Sequence, residues 1–195
     1  MKILGITGGI GSGKSVVSRL LQLMDVPVYL SDDESKLLLD TSSELKKILK
    51  ENFGEEIYVN DLIDRKKFAS IIFQNPEKLQ LANSIIHPFV KRHFSAWLEQ
   101  QEMLGKKLVG IESAILFESG FNLLVNKTIF VYAPVETRLE RVVNRDQVKP
   151  ANVLSRMKNQ NTDDENREKS DFVILNDGQS SILTQVHQIL RLFCI

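Results

Sequence analysis

The sequence predicts an α/β fold built on a five-stranded, mostly parallel sheet. The first observation is a short apolar run at Lys2–Thr7, followed by glycines and then by a helical pattern at Lys14–Met24. A second apolar run, at Val26–Leu30, completes a βαβ unit, whose two strands are parallel. Strand patterns return three times in the second half, at Lys107–Ile111, Thr128–Ala133 and Phe172–Leu175.

The segment between the second and third of these strands has helical patterns almost throughout. Thr41-Ser-Ser-Glu44 matches a capping box and predicts one helix start. Asn52–Asn60 is mostly polar and predicts a turn region. Asp64 and Asn75-Pro76 predict two more helix starts. Pro88 lies within the last of these helices and is expected to bend or split it.

The last third of the chain adds helices around the remaining strands. Val135–Asn144 predicts a helix between the fourth and fifth strands, and Ala151–Lys169 is polar and charged. Ser180–Phe193 predicts a final helix with one apolar face. The sheet is therefore expected to carry a helical insertion after its second strand and a polar helical segment after its fourth.

Composition excludes several classes of protein. The chain has 195 residues, with 25 Lys and Arg against 25 Asp and Glu, and this balance argues against a protein that coats nucleic acid. Its one cysteine, Cys194, cannot form an intrachain disulfide, which suits a reducing compartment. We find no run of eighteen apolar residues and no signal-peptide pattern, so a cytoplasmic protein without a membrane partner is expected.

Residues 8–15, Gly-Gly-Ile-Gly-Ser-Gly-Lys-Ser, fit the pattern G-x-x-x-x-G-K-[ST] between the first strand and the first helix. The glycines let successive backbone N–H groups face one phosphate, and the helix N-terminus adds its positive dipole end. Lys14 is placed to bridge the β- and γ-phosphates, and Ser15 to bind Mg²⁺. The motif predicts nucleoside triphosphate binding and the fold of a P-loop NTPase, three layers arranged α/β/α.

Carboxylates follow two of the predicted strands at their carboxyl ends, where open parallel sheets bind ligands. Asp32 and Asp33 follow the second strand, where a carboxylate accepts a proton from an attacking hydroxyl, orients it, or binds Mg²⁺ through water. The alternative is that one of them caps a helix beginning at Glu34. Glu112 follows the third strand and is a candidate to hold Mg²⁺ through its water shell, with Glu118 as the competing acid.

Arginines follow the fourth strand. Arg138 and Arg141 are three residues apart on one helix face, and Arg145 lies one turn further. Such arginines close over a triphosphate and neutralise charge that develops on the γ-phosphoryl group. The alternative is a solvated helix face paired with Glu136 and Glu140. The position, late in a small P-loop protein, favours a closing lid that excludes water.

Short segments spread over nearly the whole chain carry a family resemblance. They are Ile6–Ser15, Asp32, Ile63-Asp64-Arg65, Ile72-Phe73, Ile86-His87-Pro88, Ile115-Leu116-Phe117-Glu118, Arg141, Arg145, Gln160 and Asp171–Gly178. In this order they resemble the dephospho-CoA kinase family, whose members phosphorylate the ribose 3′-hydroxyl of dephospho-CoA. The chain departs from the family pattern at Leu30, where an acid is usual, and at Val16, where threonine is common.

The resemblance implies roles for single residues. Asp32 aligns with the family's catalytic aspartate, and Arg141 aligns with a lid arginine near the phosphates; with Lys14 they form the expected catalytic group. Arg65 and His87 are implied to lie near the substrate. The implied nucleotide-binding residues are Gly8, Gly9, Ile10, Gly11, Ser12, Gly13, Lys14, Ser15, Val16, Arg145, Asn176 and Gly178.

Three regions are expected from this resemblance. The nucleotide-binding core comprises residues 1–31, 107–135 and 171–195, the helical insertion 32–106 binds the acceptor, and residues 136–170 form the lid region. The expected cofactors are ATP and Mg²⁺, and the expected partner is the small molecule dephospho-CoA. The chain is expected to be a monomer or a weak homo-oligomer.

Two alternative functions remain open at this point. Another small-molecule or nucleoside monophosphate kinase uses the same scaffold, because acceptor specificity lies in the helical insertion. A nucleotide-dependent switch is the less favoured alternative. The guanine-reading pattern Asn-Lys-x-Asp fails at its last position in Asn126-Lys127-Thr128-Ile129.

Overall fold

The computed structural model describes residues 1–157 and 162–194. Its contacts divide the chain into two compact units. The larger unit consists of Met1–Tyr29 and Gln101–Ile195, and the smaller unit consists of Leu30–Gln100.

Strands and helices alternate through the described chain. They are β1 (Lys2–Thr7), α1 (Lys14–Leu23), β2 (Val28–Leu30), α2 (Ser31–Thr41), α3 (Ser43–Phe53), β3 (Tyr58–Val59), β4 (Leu62–Ile63), α4 (Arg65–Phe73), α5 (Pro76–Met103), β5 (Leu108–Glu112), β6 (Lys127–Tyr132), α6 (Val135–Asp146), α7 (Pro150–Met157), α8 (Asp163–Lys169), β7 (Phe172–Leu175) and α9 (Ile182–Cys194). Short 3₁₀ turns lie at Glu55–Ile57 and Phe121–Leu124.

The main sheet has five strands in the order β2-β5-β1-β6-β7. β1 pairs in parallel with β5 and β6, and β6 pairs in parallel with β7. The prediction of a five-stranded parallel sheet is therefore confirmed, with strand ends shifted by no more than two residues. In the register, Ile6 of β1 lies opposite Glu112 of β5, so the carboxyl ends of these two strands meet at one sheet edge.

The sheet strands are apolar because helices cover them. α1 packs against β1 and β5, and α9 packs against α1 and β7. Burial of the strand side chains removes apolar area from water, the main stabilising contribution in such a core. The fully buried sheet residues include Leu4, Ile6, Val109, Ile111, Ile129, Phe130, Val131 and Ile174.

Asp171 fastens the start of β7 to the start of β6. Its carboxylate accepts hydrogen bonds from the Thr128 N–H at 2.8 Å and the Thr128 Oγ1 at 2.9 Å, and from Lys127 Nζ at 2.6 Å. Burial acts to raise the pKa of Asp171, but these bonds from Lys127 and Thr128 lower it below its ordinary value. The pair of strands is thus tied by a carboxylate that must be ionised.

We expect Asp171→Ala to lower the free energy of unfolding at pH 7 by about 2 kcal/mol, because the Thr128 N–H loses its acceptor. A carboxyl whose pKa is depressed in the folded state stabilises the fold above its unfolded pKa and loses this effect as pH falls. The difference between wild type and variant should therefore shrink from about pH 5 to about pH 3. Urea unfolding at each pH measures it; equal stabilities at pH 7 would contradict the assigned role.

The smaller unit has its own apolar core, built from its helices and a short hairpin of β3 and β4. The rings of Phe53 and Phe68 meet edge to face at 5.3 Å. The Tyr58 hydroxyl donates to the Leu39 carbonyl at 2.9 Å. Burial, with the charges of Asp40 and Asp61, raises the pKa of Tyr58 to about 12, so this hydroxyl keeps its proton.

Two of the predicted helix starts are confirmed and one is displaced. Asp64 accepts hydrogen bonds from the first turn of α4, and Asn75 Oδ1 accepts from the first turn of α5. The predicted cap at Thr41 is wrong, because Ser42 caps α3 by accepting from the Leu45 N–H at 3.2 Å. Thr41 instead ends α2, and its hydroxyl donates back to the carbonyl of the preceding turn.

Two other expectations for this region need correction. α5 runs from Pro76 to Met103 without a break, so Pro88 does not split it. The predicted turn region at Asn52–Asn60 includes a strand, β3, which pairs with β4. Asn60 and Asp61 connect the two strands with positive φ angles of 49° and 64°, the conformation that two-residue hairpin turns favour.

Candidate active site

The loop between β1 and α1 turns at Gly11 and Gly13. Their φ angles are +77° and +96°, which side chains rarely adopt. A Cβ on Gly11 would lie 2.6 Å from the Arg138 carbonyl oxygen, and one on Gly13 would overlap Nδ2 of Asn176. Gly13 is also the N-cap of α1, whose first N–H groups have no helical acceptors. The loop backbone and the helix N-terminus thus form an anion-binding arrangement.

The Lys14 ammonium lies over this loop. Its Nζ donates to the carbonyl of Gly8 at 2.8 Å and to that of Gly9 at 3.2 Å. The Ser12 N–H donates to the Gly9 carbonyl at 3.1 Å, which closes the turn. Ser15 follows in the first turn of α1. A cation and a helix N-terminus in the same place suit a polyphosphate.

Asn176, directly after β7, joins the loop to α6. Its Nδ2 donates to the Ser12 carbonyl at 2.7 Å, and its backbone N–H donates to the Tyr132 carbonyl at 2.8 Å. Arg141 Nη2 donates to both the backbone and the side-chain oxygen of Asn176 at 3.2 Å. These acceptors are neutral, so they orient the guanidinium without cancelling its charge.

Arg138, one turn before Arg141, covers the loop at Gly9. Its side chain is buried, and its Nη1 occupies the place that a Cβ on Gly9 would take. Its Nη2 donates to Oδ2 of Asp163, the first residue of α8, at 2.7 Å. The sequence patterns did not single out Asp163, because the pair is 25 residues apart and no local pattern joins them.

Arg145 and Gly178 are two further residues that were expected to contact the nucleotide. Arg145 is exposed, and its guanidinium donates to the neighbouring Asp146 at 2.7 Å and 3.2 Å. Gly178 has a φ of +86°, and a Cβ there would meet nothing within 4 Å. Gln160, part of the family resemblance, lies outside the described residues.

Glu112 ends β5 at the sheet edge where the loop begins. Its Oε2 is buried, whereas Glu118, the competing acid, is exposed in the turn that follows. Within residues 1–157 and 162–194, no group of three or more His, Cys, Asp or Glu side chains is arranged to hold a metal ion.

Asp32 and Asp33 lie in the smaller unit, in the first turn of α2. This helix begins directly after β2 with Leu30 as its N-cap, so the alternative of an aspartate capping a helix at Glu34 is wrong. Asp33 accepts a hydrogen bond from Lys36 at 2.7 Å. Asp32 is exposed. Asp33 is exposed as well, so both carboxylates are open to solvent.

Arg65 and His87, the expected substrate contacts, lie on helices of the smaller unit. Arg65 begins α4, and its Nη2 donates to Oδ2 of Asp40 at 2.7 Å while the side chain stays 55% exposed. His87 is half-buried in α5. Burial and the charge of Lys91 lower the pKa of His87, so its imidazole is neutral at pH 7.

A family model described as dephospho-CoA kinase (CoaE) matches residues 2–181. The chain belongs to the dephospho-CoA kinase family. A Bacteroides fragilis protein named dephospho-CoA kinase is 43% identical to it over 187 residues, which cover 96% of this chain and 90% of the relative. Membership in this family confirms the prediction of an ATP-using phosphotransferase.

Solved structures agree with the fold. The structure of TT1252 from Thermus thermophilus is 31% identical, has a TM-score of 0.86, and covers 100% of this chain and 98% of its own. A dephospho-CoA kinase from Campylobacter jejuni is 24% identical with a TM-score of 0.70, and covers 99% of this chain and 98% of its own; this likeness concerns the fold alone. No helix among the described residues is long and apolar enough to span a membrane.

Proposed function

We propose that the chain transfers the γ-phosphoryl group of ATP to the ribose 3′-hydroxyl of dephospho-CoA, giving coenzyme A and ADP. Its family supports this reaction. The observation that carries it in this chain is the Lys14 ammonium held over the glycine loop by the carbonyls of Gly8 and Gly9, beside the N-terminus of α1. That arrangement suits the binding of a polyphosphate.

The nucleotide site is proposed to contain the loop residues 8–16 and the groups that face them. Arg141, oriented by Asn176, neutralises negative charge on the transferring phosphoryl group. Arg145 and Gly178 are proposed to contact other parts of the nucleotide. Residues 136–170 form the lid in this proposal, and its closure excludes water from the reacting phosphate.

The magnesium ion is proposed to be held mainly by phosphate oxygens and water. Ser15 contributes its hydroxyl, and Glu112 contributes its carboxylate through the water shell. When bound, the ion supplies positive charge to the β- and γ-phosphates.

The acceptor is proposed to bind in the helical insertion, residues 32–106, with Arg65 and His87 near it. Arg65 offers a charge for the acceptor's phosphates, and the neutral His87 offers a hydrogen bond. Asp32 accepts or orients the proton of the 3′-hydroxyl while the oxygen attacks phosphorus in line. Phosphoryl transfer passes through a loose transition state in which the attacking hydroxyl needs only a weak base. An exposed carboxylate can therefore serve as that base.

A panel of acceptors tests the reaction. ADP release with Mg-ATP would be measured with dephospho-CoA, nucleoside monophosphates, pantetheine compounds and no acceptor. We expect strong turnover with dephospho-CoA alone. Turnover with a nucleoside monophosphate instead would favour a different kinase on this scaffold, and tight ATP binding without acceptor-dependent turnover would favour a nucleotide switch.

A further inference from the structure

Two arginines of α6, Arg138 and Arg141, are held by different kinds of acceptor. Arg141 donates to neutral oxygens of Asn176, as described above. Arg138 donates to a carboxylate, that of Asp163. The first arrangement leaves the full charge of the guanidinium for a ligand, and the second offsets it. Arg138 lies against Gly9 of the loop, whereas Arg141 reaches the loop only through Asn176, whose side chain donates to the Ser12 carbonyl.

The ion pair with Asp163 leaves one donor of Arg138 unsatisfied. Its side chain is 8% exposed, and its Nε is buried with no hydrogen-bond partner among the described residues. A buried guanidinium nitrogen without an acceptor is costly, whereas a structural arginine normally has its donors satisfied by the protein. The planar guanidinium can donate to two different anions at once, one on each edge. Arg138 therefore retains a donor for a second acceptor.

The position of the guanidinium, whose Nη1 lies at Gly9, indicates which acceptor Arg138 meets. The guanidinium lies against Gly9, inside the loop that carries the Lys14 ammonium. The carboxylate of Asp163 lies beside it, with Oδ1 3.8 Å from where a Cβ on Gly9 would be. An anion in the loop would thus be attracted by Arg138 and repelled by Asp163.

Asp163 is held firmly in this position. It begins α8 immediately after Thr162, which forms a capping box with Glu165. The Thr162 side chain accepts from the Glu165 N–H at 3.2 Å, and the Glu165 carboxylate accepts from the Thr162 N–H at 2.9 Å. This cap sets the backbone of Asp163, so the ion pair has a defined geometry.

We propose that Arg138 binds the phosphates of the nucleotide, and that Asp163 orients Arg138 and offsets part of its charge. The ion pair then limits nucleotide affinity, so that ADP leaves readily after transfer. The proposal rests on the proposed function, in which the loop holds ATP. It assigns phosphate binding to Arg138 and affinity control to Asp163.

The first test removes the charge of Arg138. We expect Arg138→Gln to weaken binding of ADP and of a non-hydrolysable ATP analogue about tenfold or more, measured by calorimetry. Arg138→Lys keeps the positive charge but loses the planar guanidinium with its paired donors. Its nucleotide affinity should therefore fall between those of wild type and Arg138→Gln. Arg191→Gln, an exposed change on α9, is the matched control and should bind as wild type does. Wild-type affinity in Arg138→Gln would overturn the proposal.

The second test separates affinity control from a structural role. Asp163→Asn keeps an oxygen that accepts from Arg138 but removes the repulsive charge, so ADP should bind about threefold to tenfold tighter. ADP release should slow to match. Asp25→Asn removes the same charge from an exposed residue just beyond the C-terminal end of α1, at the opposite end of that helix from the loop, and is the control. Unchanged or weaker ADP binding in Asp163→Asn would show a purely structural pair and overturn the proposal.

The same measurements keep this inference distinct from the proposed function. Wild-type protein that binds neither ADP nor the ATP analogue would overturn the nucleotide site itself. Wild-type binding that is lost in Lys14→Met but unchanged in the Arg138 and Asp163 variants would retain the site and overturn only the ion-pair proposal. Thermal unfolding of each variant shows that it is folded, and the Asp163→Asn result decides the question if Arg138→Gln does not fold.

Discussion

Replacing Asp32 by asparagine is expected to lower kcat with dephospho-CoA by about a hundredfold to ten-thousandfold. Asparagine keeps the size of the side chain and its ability to accept a hydrogen bond, but it cannot take a proton or attract one. Asp32 is exposed in the first turn of α2, so the change lies outside the buried core. Steady-state kinetics and ADP calorimetry should show turnover lost while nucleotide affinity stays within about twofold, because the phosphates are held by other residues.

The neighbouring aspartate offers the matched control for this experiment. Asp33→Asn removes the same charge one residue away and breaks only the surface ion pair with Lys36, which contributes little. We expect its kcat to stay within about twofold of wild type. If Asp33→Asn lost as much activity as Asp32→Asn, the loss of kcat would be caused by removing negative charge anywhere in the first turn of α2. The assignment of the catalytic role to Asp32 would then be wrong.

The sequence predicted those parts of the fold that depend on interactions between residues close together in the chain. The loop at Gly8–Ser15 was predictable because its glycines are required where the chain turns with positive φ, as at Gly11 and Gly13. Asp64 and Asn75 were predictable as caps because a short polar side chain before an apolar helix satisfies its first N–H groups. In each case the residues that set the structure are neighbours in sequence.

Two errors arose where the local sequence pattern was ambiguous or too short to interpret. Thr41 and Ser42 both suit a helix cap, and the structure uses Ser42 because the Thr41 hydroxyl already donates to the Leu37 carbonyl within α2. The hairpin at β3 and β4 was missed because its strands have only two residues each, too few to show alternation. The available signal was Asn60-Asp61, a pair that accepts positive φ.

Most of the organisation around the loop lay beyond any sequence pattern. Asn176 reaches the Ser12 carbonyl across 164 residues, and Arg138 reaches Asp163 across 25. These contacts follow from the order of the strands, which brings the chain after β6 and β7 to the edge where β1 ends. The sequence identified Arg141 and Asn176 through a family resemblance. Their mutual hydrogen bonds became visible only in the structure.

Replacing Lys14 by methionine is expected to weaken ADP binding about a hundredfold and to lower kcat about a thousandfold. Methionine keeps much of the side chain's length and its apolar stem, but it removes the ammonium that donates to the carbonyls of Gly8 and Gly9. The loop then loses both its charge for the phosphates and two of the hydrogen bonds that hold its shape. Calorimetry measures the first effect and ADP release the second.

Lys107→Met is the control for that variant, since it removes an exposed lysine just before β5, at the opposite end of that strand from the loop, and should leave binding and turnover unchanged. The free energy of unfolding should change little in Lys14→Met, because the ammonium acts on a loop and not on the buried sheet. Full ADP affinity in Lys14→Met would show that the phosphates do not bind at the loop, and the nucleotide site would have to lie elsewhere. Loss of turnover with unchanged ADP affinity would instead show that Lys14 stabilises only the γ-phosphate and the transition state, and does not contribute to ADP binding.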